Sequence, residues 1–242
     1  MIFEDLMLQI KRAAHLDFGS IFSRSIDLFK RVWVQGCVTL LLTVLVMLPF
    51  YIILYIPLIA AGITDPELMQ SENIPPEVML PMLILFPIFM LAIMVITFLF
   101  NAAFLRICRQ KDFNETGSES YFYYFKRPYF GKAIVLSFII LGFGLVGIAA
   151  CGVGLFYVMV PISIFPAFFA FNEEMSPIEI VKASFAIGNK NWLTIFGLIF
   201  LTGLLAQLGT VLCIVGVFFT AMISKVPAYF IHKDSVGHTV VQ

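Results

Sequence analysis

Long stretches without a charged residue dominate the pattern of polar and apolar positions along this chain. Four stretches lack Asp, Glu, Lys and Arg throughout, and they cover residues 32–64, 78–105, 133–172 and 191–224. A helix needs about 20 apolar residues to cross the hydrocarbon core of a bilayer, and a central charge costs about 2.5–3.5 kcal/mol on insertion scales. These stretches are therefore the units from which we predict membrane spans.

The last two stretches are each long enough for a pair of spans. The third has a glycine-rich centre from Gly147 to Gly154, which suits a tight hairpin, and the fourth has a turn signal near residues 206–209. The first contains Pro49 and Pro57 and is interpreted as one kinked span. The pattern predicts six spans, at about residues 34–62, 78–105, 129–149, 153–171, 192–207 and 210–231.

The placement of charge supports this number of spans. All 15 Lys and Arg residues fall in segments that six spans put on one side of the membrane, namely 1–31, 106–132, 173–190 and the C-terminal tail, with which we count Lys225 although the last span runs on past it. The segment 63–77 carries only acidic charges. Because basic residues concentrate in cytoplasmic loops, we expect both termini in the cytoplasm.

Amphipathic stretches precede the predicted hairpins on the cytoplasmic side. From Phe18 to Trp33 apolar residues recur at nearly the helical period, with Asp17 as a suitable cap. Ser176 and Glu179 form a capping box around a proline at the first helical position. We predict interfacial helices at about residues 2–14, 18–31, 118–127 and 176–188.

The interfacial stretches also suggest an internal repeat. Aligning Ser25 with Ser184 aligns Trp33 with Trp192, and these are the two tryptophans of the chain. A unit of one interfacial helix and two spans, used three times, explains the match. The alternative is the general preference of Trp for membrane interfaces. The predicted fold is an all-α polytopic membrane helix bundle with a threefold repeat.

Composition agrees with a membrane protein. The chain of 242 residues is 61% apolar and 12% charged, with a mean hydropathy of +1.00, whereas soluble domains are about a quarter charged. The formal net charge is zero, so no nucleic-acid partner is indicated. The N-terminus is acidic where a signal peptide is basic.

No motif predicts a catalytic, cofactor or metal site. The cysteines and histidines are scattered without ligand spacing, and no C-x-x-C pair occurs. The pattern G-x-G-x-x-G at 142–147 lies inside an apolar stretch, where close helix packing explains the glycines. The absence of central charges argues against an ion-coupled pump. We therefore predict a non-enzymatic protein without a cofactor or metal.

The candidate functional residues are those expected to meet lipid or neighbouring helices. The basic side chains expected to attract anionic head groups, at about 1 kcal/mol each, are Arg24, Lys30, Arg31, Lys126, Arg127, Lys132, Lys182 and Lys190. Simple anchoring of the topology is the alternative role of these cations. The predicted interfacial anchors are Trp33, Trp192, Tyr123 and Tyr124. Asn101 and Gln207 are predicted to form interhelical hydrogen bonds.

Residues 160–205 resemble a known group of membrane proteins. The matching segments are Pro166-Ala167-Phe168-Phe169-Ala170-Phe171, Glu173-Glu174-Met175-Ser176-Pro177-Ile178-Glu179, Lys182-Ala183-Ser184-Phe185 and Asn191-Trp192. They resemble the YciC-like bacterial integral membrane proteins and the membrane domain attached to glycerophosphodiester phosphodiesterases, although Ile180 stands where Ala is usual. The resemblance implies a helical protein of the bacterial inner membrane. It supplies no catalytic residue, and this chain has no phosphodiesterase domain.

Three functions are compatible with the sequence. The preferred one is a non-enzymatic protein that organises membrane lipids, other membrane protein subunits or copies of itself. A transporter or channel for a neutral or lipid-like solute is the alternative, because the spans are rich in proline and glycine. An intramembrane enzyme would need polar side chains that converge near Asn101, Gln207 and Asn172.

Overall fold

Helices make up nearly all of the computed structural model, which describes residues 3–60, 76–115, 117, 119–150, 152–211 and 214–237. No strand occurs among these residues. The helices are α1 (Phe3–Arg12), α2 (Phe18–Ala60), α3 (Pro76–Asp112), α4 (Arg127–Ala149), α5 (Val153–Phe171), α6 (Pro177–Lys190), α7 (Trp192–Val211), α8 (Ile214–Thr220) and α9 (Val226–Val236). Short 3₁₀ helices lie at Tyr123–Phe125 and Ala221–Lys225. Most of the acidic segment 63–77 lies outside the described residues.

Five of the described helices, α2, α3, α4, α5 and α7, are long and apolar enough to cross a membrane. Many of their apolar side chains are exposed; Leu45, Leu83 and Val146 are 60%, 69% and 67% exposed. Large exposed apolar faces are costly in water and ordinary in lipid, where helices satisfy their own backbone hydrogen bonds. The fold is therefore all-helical and has the features of an integral membrane protein.

Helix α2 joins two predicted elements. The predicted interfacial stretch 18–31 and most of the predicted span 34–62 form one unbroken helix of 43 residues. At 1.5 Å per residue its length is about 64 Å, roughly twice the thickness of a hydrocarbon core. The predicted cap is confirmed, since the Asp17 carboxylate accepts a hydrogen bond of 2.8 Å from the Ser20 amide.

The segment predicted as an interfacial helix at 118–127 has a different structure. Among its described residues only the 3₁₀ turn Tyr123–Phe125 and Arg127, the first residue of α4, are helical, and residue 118 lies outside the described part of the chain. Tyr124 is fully buried, and its hydroxyl donates to the Ala170 carbonyl at 2.8 Å. Successive aromatic side chains favour α-helix weakly, and this tertiary contact selects a turn instead.

The capping box of α6 is confirmed. The Glu179 carboxylate accepts hydrogen bonds from the amide and hydroxyl of Ser176 at 2.7 and 2.8 Å, and the Glu179 amide donates to the Ser176 hydroxyl at 3.4 Å. Helix α6 continues to Lys190, two residues beyond the predicted end. Gly188 lies within the helix and packs against Pro161 of α5, whose Cβ is 3.2 Å from the position that a Cβ on Gly188 would occupy.

The hairpin predicted at the centre of the third apolar stretch is also confirmed. Helix α4 ends at Ala149 and α5 begins at Val153, with Gly152 in the left-handed conformation at φ +78°. A Cβ on Gly154 would lie 2.9 Å from the Cα of Gly147, so only glycines allow this approach. The glycine-rich centre of the third apolar stretch is therefore a helix-packing device.

The region of the predicted sixth span, 210–231, is divided into α8, the 3₁₀ turn Ala221–Lys225 and the start of α9. Helix α7 also runs to Val211, four residues past the predicted end of the fifth span. Pro227 explains part of the break, because it has no amide hydrogen for a helical bond to the preceding turn. Helices α7 and α8 pack closely through Gly209 and Gly216.

The most completely buried part of the molecule is one end of the bundle. There the last third of α3, the second half of α5, α6 and α9 share one core, which includes Leu99, Phe168, Ile187 and Ile231. The start of α4 lies at the same end, where Tyr129 and Lys132 bond to Glu173, and α2 contacts it through Arg24 and Arg31. We call it the basic end, defined by Arg24, Arg31, Arg106 and Lys132.

Candidate site at the basic end of the bundle

Asp112, the last residue of α3, is the centre of an ion network at the basic end. Its carboxylate accepts hydrogen bonds from the Lys233 ammonium at 2.5 Å and the Tyr229 hydroxyl at 2.7 Å. The Arg31 guanidinium lies 3.7 Å from it. The side chains of Asp112 and Lys233 are only 16% and 19% exposed. This network holds α9 against α2 and α3.

A second ion pair fixes the same helix. The Arg24 guanidinium donates to both carboxylate oxygens of Asp234, one of them at 3.1 Å. Its central carbon also lies 4.8 Å from the ring centroid of Phe230. A bidentate arginine–carboxylate pair fixes orientation as well as distance. Helix α9 is therefore held to the start of α2 at a defined angle.

His232 provides a neutral polar contact between α9 and the end of α5. Its Nε2 lies 2.7 Å from the side-chain oxygen of Asn172. Burial lowers the pKa of His232 to about 3, so the ring is uncharged near neutral pH. Because an amide oxygen only accepts hydrogen bonds, the proton of the neutral ring is on Nε2.

An aromatic cluster positions charges on the other side of α5. The Tyr129 hydroxyl donates to the Glu173 carboxylate, and the Lys132 ammonium donates to the Glu173 carbonyl at 2.6 Å. The central carbon of the Arg106 guanidinium lies 3.5 Å from the ring centroid of Tyr123. This cation–π contact holds Arg106 in place without neutralising it.

A cavity of about 530 Å³ opens between the ends of α3, α5 and α9. Small-ligand sites commonly enclose about 300–1,000 Å³. Its polar lining residues are Arg106, Arg109, Asn172, Glu173, Glu174, Tyr229, His232 and Lys233. Two arginines, one lysine and two glutamates therefore surround a space at the level where α3 leaves its apolar stretch.

Five of the eight basic residues predicted to contact lipid have polar partners inside the protein. These pairs are Arg24–Asp234, Lys30–Asp27, Arg31–Asp112, Lys132 with the Glu173 carbonyl, and Lys190 with carbonyls of α1. Lys126, Arg127 and Lys182 are exposed. These three are therefore the residues of the set most available to a head group.

Lys190 is an example of a predicted lipid contact whose polar partners lie inside the protein. Its ammonium donates to the carbonyls of Ile10 at 3.0 Å and Lys11 at 2.9 Å, and to that of Ala13. The carbonyls at a helix C-terminus lack intrahelical partners and carry partial negative charge. Lys190 therefore caps α1 and fixes it to the end of α6.

The predicted anchors differ in their surroundings. Trp33 is 42% exposed and lies against Phe219, and Trp192 begins α7, where its indole nitrogen donates to the Tyr157 carbonyl at 3.4 Å. Tyr123 is half-buried beneath Arg106. Tyr124 is fully buried, so the structure corrects its assignment from interfacial anchor to core residue.

The predicted polar residues of the spans do not come together at the cavity. Asn101 is half-buried on α3 and Gln207 is exposed on α7. Neither lines the cavity, whereas Asn172 does. No group of three or more His, Cys, Asp or Glu residues suited to a metal ion occurs within the described part of the chain.

The functional residues predicted from the sequence did not include Arg106, Arg109, Asp112 or Lys233. Arg106 and Arg109 are three residues apart at the end of one helix, so they lie near one face, and this signal was present in the sequence. The pairing of Asp112 with Lys233 joins positions 121 residues apart. Only the fold of the C-terminal segment shows it.

Comparison with known proteins finds no match to a family model, to a curated protein or to a solved structure. The fold and the site therefore define the class. The chain is an all-helical protein with five described helices able to cross a membrane and a charged cavity at one end of the bundle.

Proposed function

We propose that this protein is a non-enzymatic integral membrane protein of the bacterial inner membrane that organises lipids or partner subunits at the cytoplasmic face. The basic end is the cytoplasmic end in this proposal, and both termini lie in the cytoplasm. The proposal includes membership of the YciC-like group that residues 160–205 resemble. Its membrane helices cross six times.

The positions of the helix ends support this topology. Helix α4 begins at the basic end and α3 and α5 end there, so the hairpin of α4 and α5 returns to its starting side. Helix α9 also lies there, paired through Asp234 with Arg24 of α2. We propose that the chain returns after α7 through residues 214–231, which form the sixth crossing as a broken helix. Basic residues favour the cytoplasmic side.

The observation that carries the proposed role is the set of exposed cations at this end. Lys126 and Arg127 lie at the start of α4, and Lys182 lies on the exposed side of α6. A basic side chain near an anionic membrane surface contributes about 1 kcal/mol to lipid attraction. Three of them on the exposed surface favour enrichment of anionic lipid.

The topology is tested by labelling single cysteines in a cysteine-free background. We expect Ser71→Cys to react with a membrane-impermeant maleimide from outside intact cells. Ser120→Cys is expected to react only after the membrane is opened. Labelling of both positions from the same side would contradict the six crossings and the orientation.

The proposed role is tested by counting the lipids retained by the full-length protein. We expect the triple variant Lys126→Gln, Arg127→Gln, Lys182→Gln to retain less than half as much phosphatidylglycerol as the wild type in native mass spectrometry from mixed-lipid nanodiscs. The control is Lys190→Gln, whose ammonium is occupied by α1 carbonyls and whose loss should leave retention unchanged. Equal retention by the triple variant and the wild type would contradict the proposed role.

A further inference from the structure

Arg106 is a charged residue of the cavity lining that has no acidic partner among the described residues. Among the described residues no carboxylate lies within 4.0 Å of its guanidinium nitrogens. The guanidinium is nevertheless held in place, because it stacks 3.5 Å from the ring centroid of Tyr123. Arginine remains protonated at any physiological pH. The cavity is therefore lined by a positioned cation whose N–H groups can donate hydrogen bonds to an incoming anion.

Arg109 adds a second guanidinium one helical turn further along α3. Its nearest acidic group, Glu115, is 3.7 Å away, and both side chains are about 40% exposed, at 39% and 43%. Exposed pairs at this distance contribute little, about 0–1 kcal/mol. A ligand that enters the cavity competes with a weak interaction only.

The two glutamates that line the cavity have surroundings different from those of the two arginines. The Glu173 carboxylate already accepts a hydrogen bond from the Tyr129 hydroxyl, and Glu174 is exposed. Lys233 is neutralised by Asp112 and serves the attachment of α9. The N–H donors of the cavity that lack a strong internal partner therefore belong mainly to the two arginines. The two glutamates reduce the net positive charge of the cavity.

The position along the chain indicates the kind of anion. Arg106 directly follows the uncharged stretch that ends at Leu105. A residue one position beyond a span lies at the depth of phospholipid head groups. Planar guanidinium groups bind phosphate oxygens in pairs, with short charge-assisted hydrogen bonds.

We propose that Arg106 and Arg109 bind a phosphate group in this cavity, either that of a lipid head group or that of a small soluble phosphate. The inference deepens the proposed function and rests on its orientation of the basic end in the cytoplasm. The cavity volume of about 530 Å³ accommodates a glycerophosphate head group with room for water.

The test uses the full-length protein in dodecyl maltoside, a detergent without phosphate. Phosphatidylglycerol is added in one arm and glycerol 3-phosphate in the other, and bound ligand is measured by native mass spectrometry. For whichever ligand the wild type binds, we expect Arg106→Gln to weaken binding at least tenfold. Arg106→Lys should also bind more weakly, since it keeps the charge and loses the planar pair of donors. Arg12→Gln, which changes an exposed arginine of α1 outside the cavity lining, should bind as the wild type does.

The outcomes separate the site from the broader role. Binding of the lipid alone identifies a head-group site, and binding of glycerol 3-phosphate identifies a site for soluble phosphates. Unchanged affinity in both Arg106 variants, or no binding of either ligand, would overturn the phosphate site. If the triple variant described above still loses phosphatidylglycerol in that case, the proposed function stands without this cavity. Thermal unfolding of each variant shows whether Arg106→Gln is folded; Arg106→Lys retains the charge and provides the second measurement.

Discussion

Replacement of Asp112 by alanine is expected to lower the free energy of unfolding by about 3 kcal/mol. The substitution leaves the Lys233 ammonium, 19% exposed, without its counter-ion and removes the acceptor of the Tyr229 hydroxyl. Breaking one side of a largely buried pair costs about 3–5 kcal/mol, because the remaining charge stays desolvated. Equilibrium unfolding in mixed micelles with increasing dodecyl sulfate, followed by circular dichroism, measures the change.

The matched control is Asp27→Ala. Asp27 pairs with Lys30 at 3.0 Å, but both side chains are exposed, at 66% and 69%. An exposed pair of this kind contributes about 0.5 kcal/mol or less. Helix α9 should lose amide protection in the Asp112 variant and keep it in the control. Equal unfolding free energies for the two variants would show that the Asp112 network does not hold α9.

Replacement of Tyr124 by alanine should destabilise the protein by about 3–5 kcal/mol, as for other large-to-small substitutions of buried aromatic residues. Tyr124 is fully buried among aromatic rings, with the centroids of Tyr123 and Phe169 at 4.9 and 5.3 Å. Burial raises its pKa, so the hydroxyl remains a donor to the Ala170 carbonyl.

Tyr124→Phe separates the ring from the hydroxyl. It keeps the packing and leaves the Ala170 carbonyl without this donor, so we expect a loss of about 1 kcal/mol. Tyr55→Ala is the control, since Tyr55 is 45% exposed on the apolar face of α2. The same unfolding titration applies to all three variants. A Tyr124→Ala protein as stable as the Tyr55→Ala protein would mean that the aromatic turn does not contribute to the fold.

These two sites define how the basic end is built. Asp112 attaches the last helix, and Tyr124 attaches the segment between α3 and α4 to the end of α5. The cavity lies between these two attachments, with Arg106 held over Tyr123 on one side and Lys233 paired with Asp112 on the other. A ligand in the cavity would therefore contact elements from three separate parts of the chain.

Several features were predictable because their causes are local. The Asp17 cap, the Ser176–Glu179 capping box and the hairpin at Gly152 depend on residues within a few positions of one another. The apolar helices follow from hydropathy, because a bilayer leaves a crossing chain few alternatives to a helix. Interactions between residues that are close in the sequence can therefore be predicted from the sequence alone.

Other features were not predictable from local pattern. The run Tyr121–Phe125 has the composition of an interfacial anchor, yet Tyr124 is a core residue because α5 offers it a carbonyl. Lys190 and Arg24 have the pattern of surface cations, yet each is bonded to a distant helix. In these cases the partner is more than 40 residues away, and the pattern of apolar and polar residues along the chain does not indicate it.

The sequence by itself determined that this is a helical protein with segments long and apolar enough to cross a membrane, which of its stretches are apolar, and where its charges are concentrated. The tertiary structure alone decided which cations are neutralised within the protein and which line the cavity. The physical reason is that hydropathy and capping act between neighbours in the chain, whereas ion pairing and burial depend on the packing of helices that are far apart in sequence.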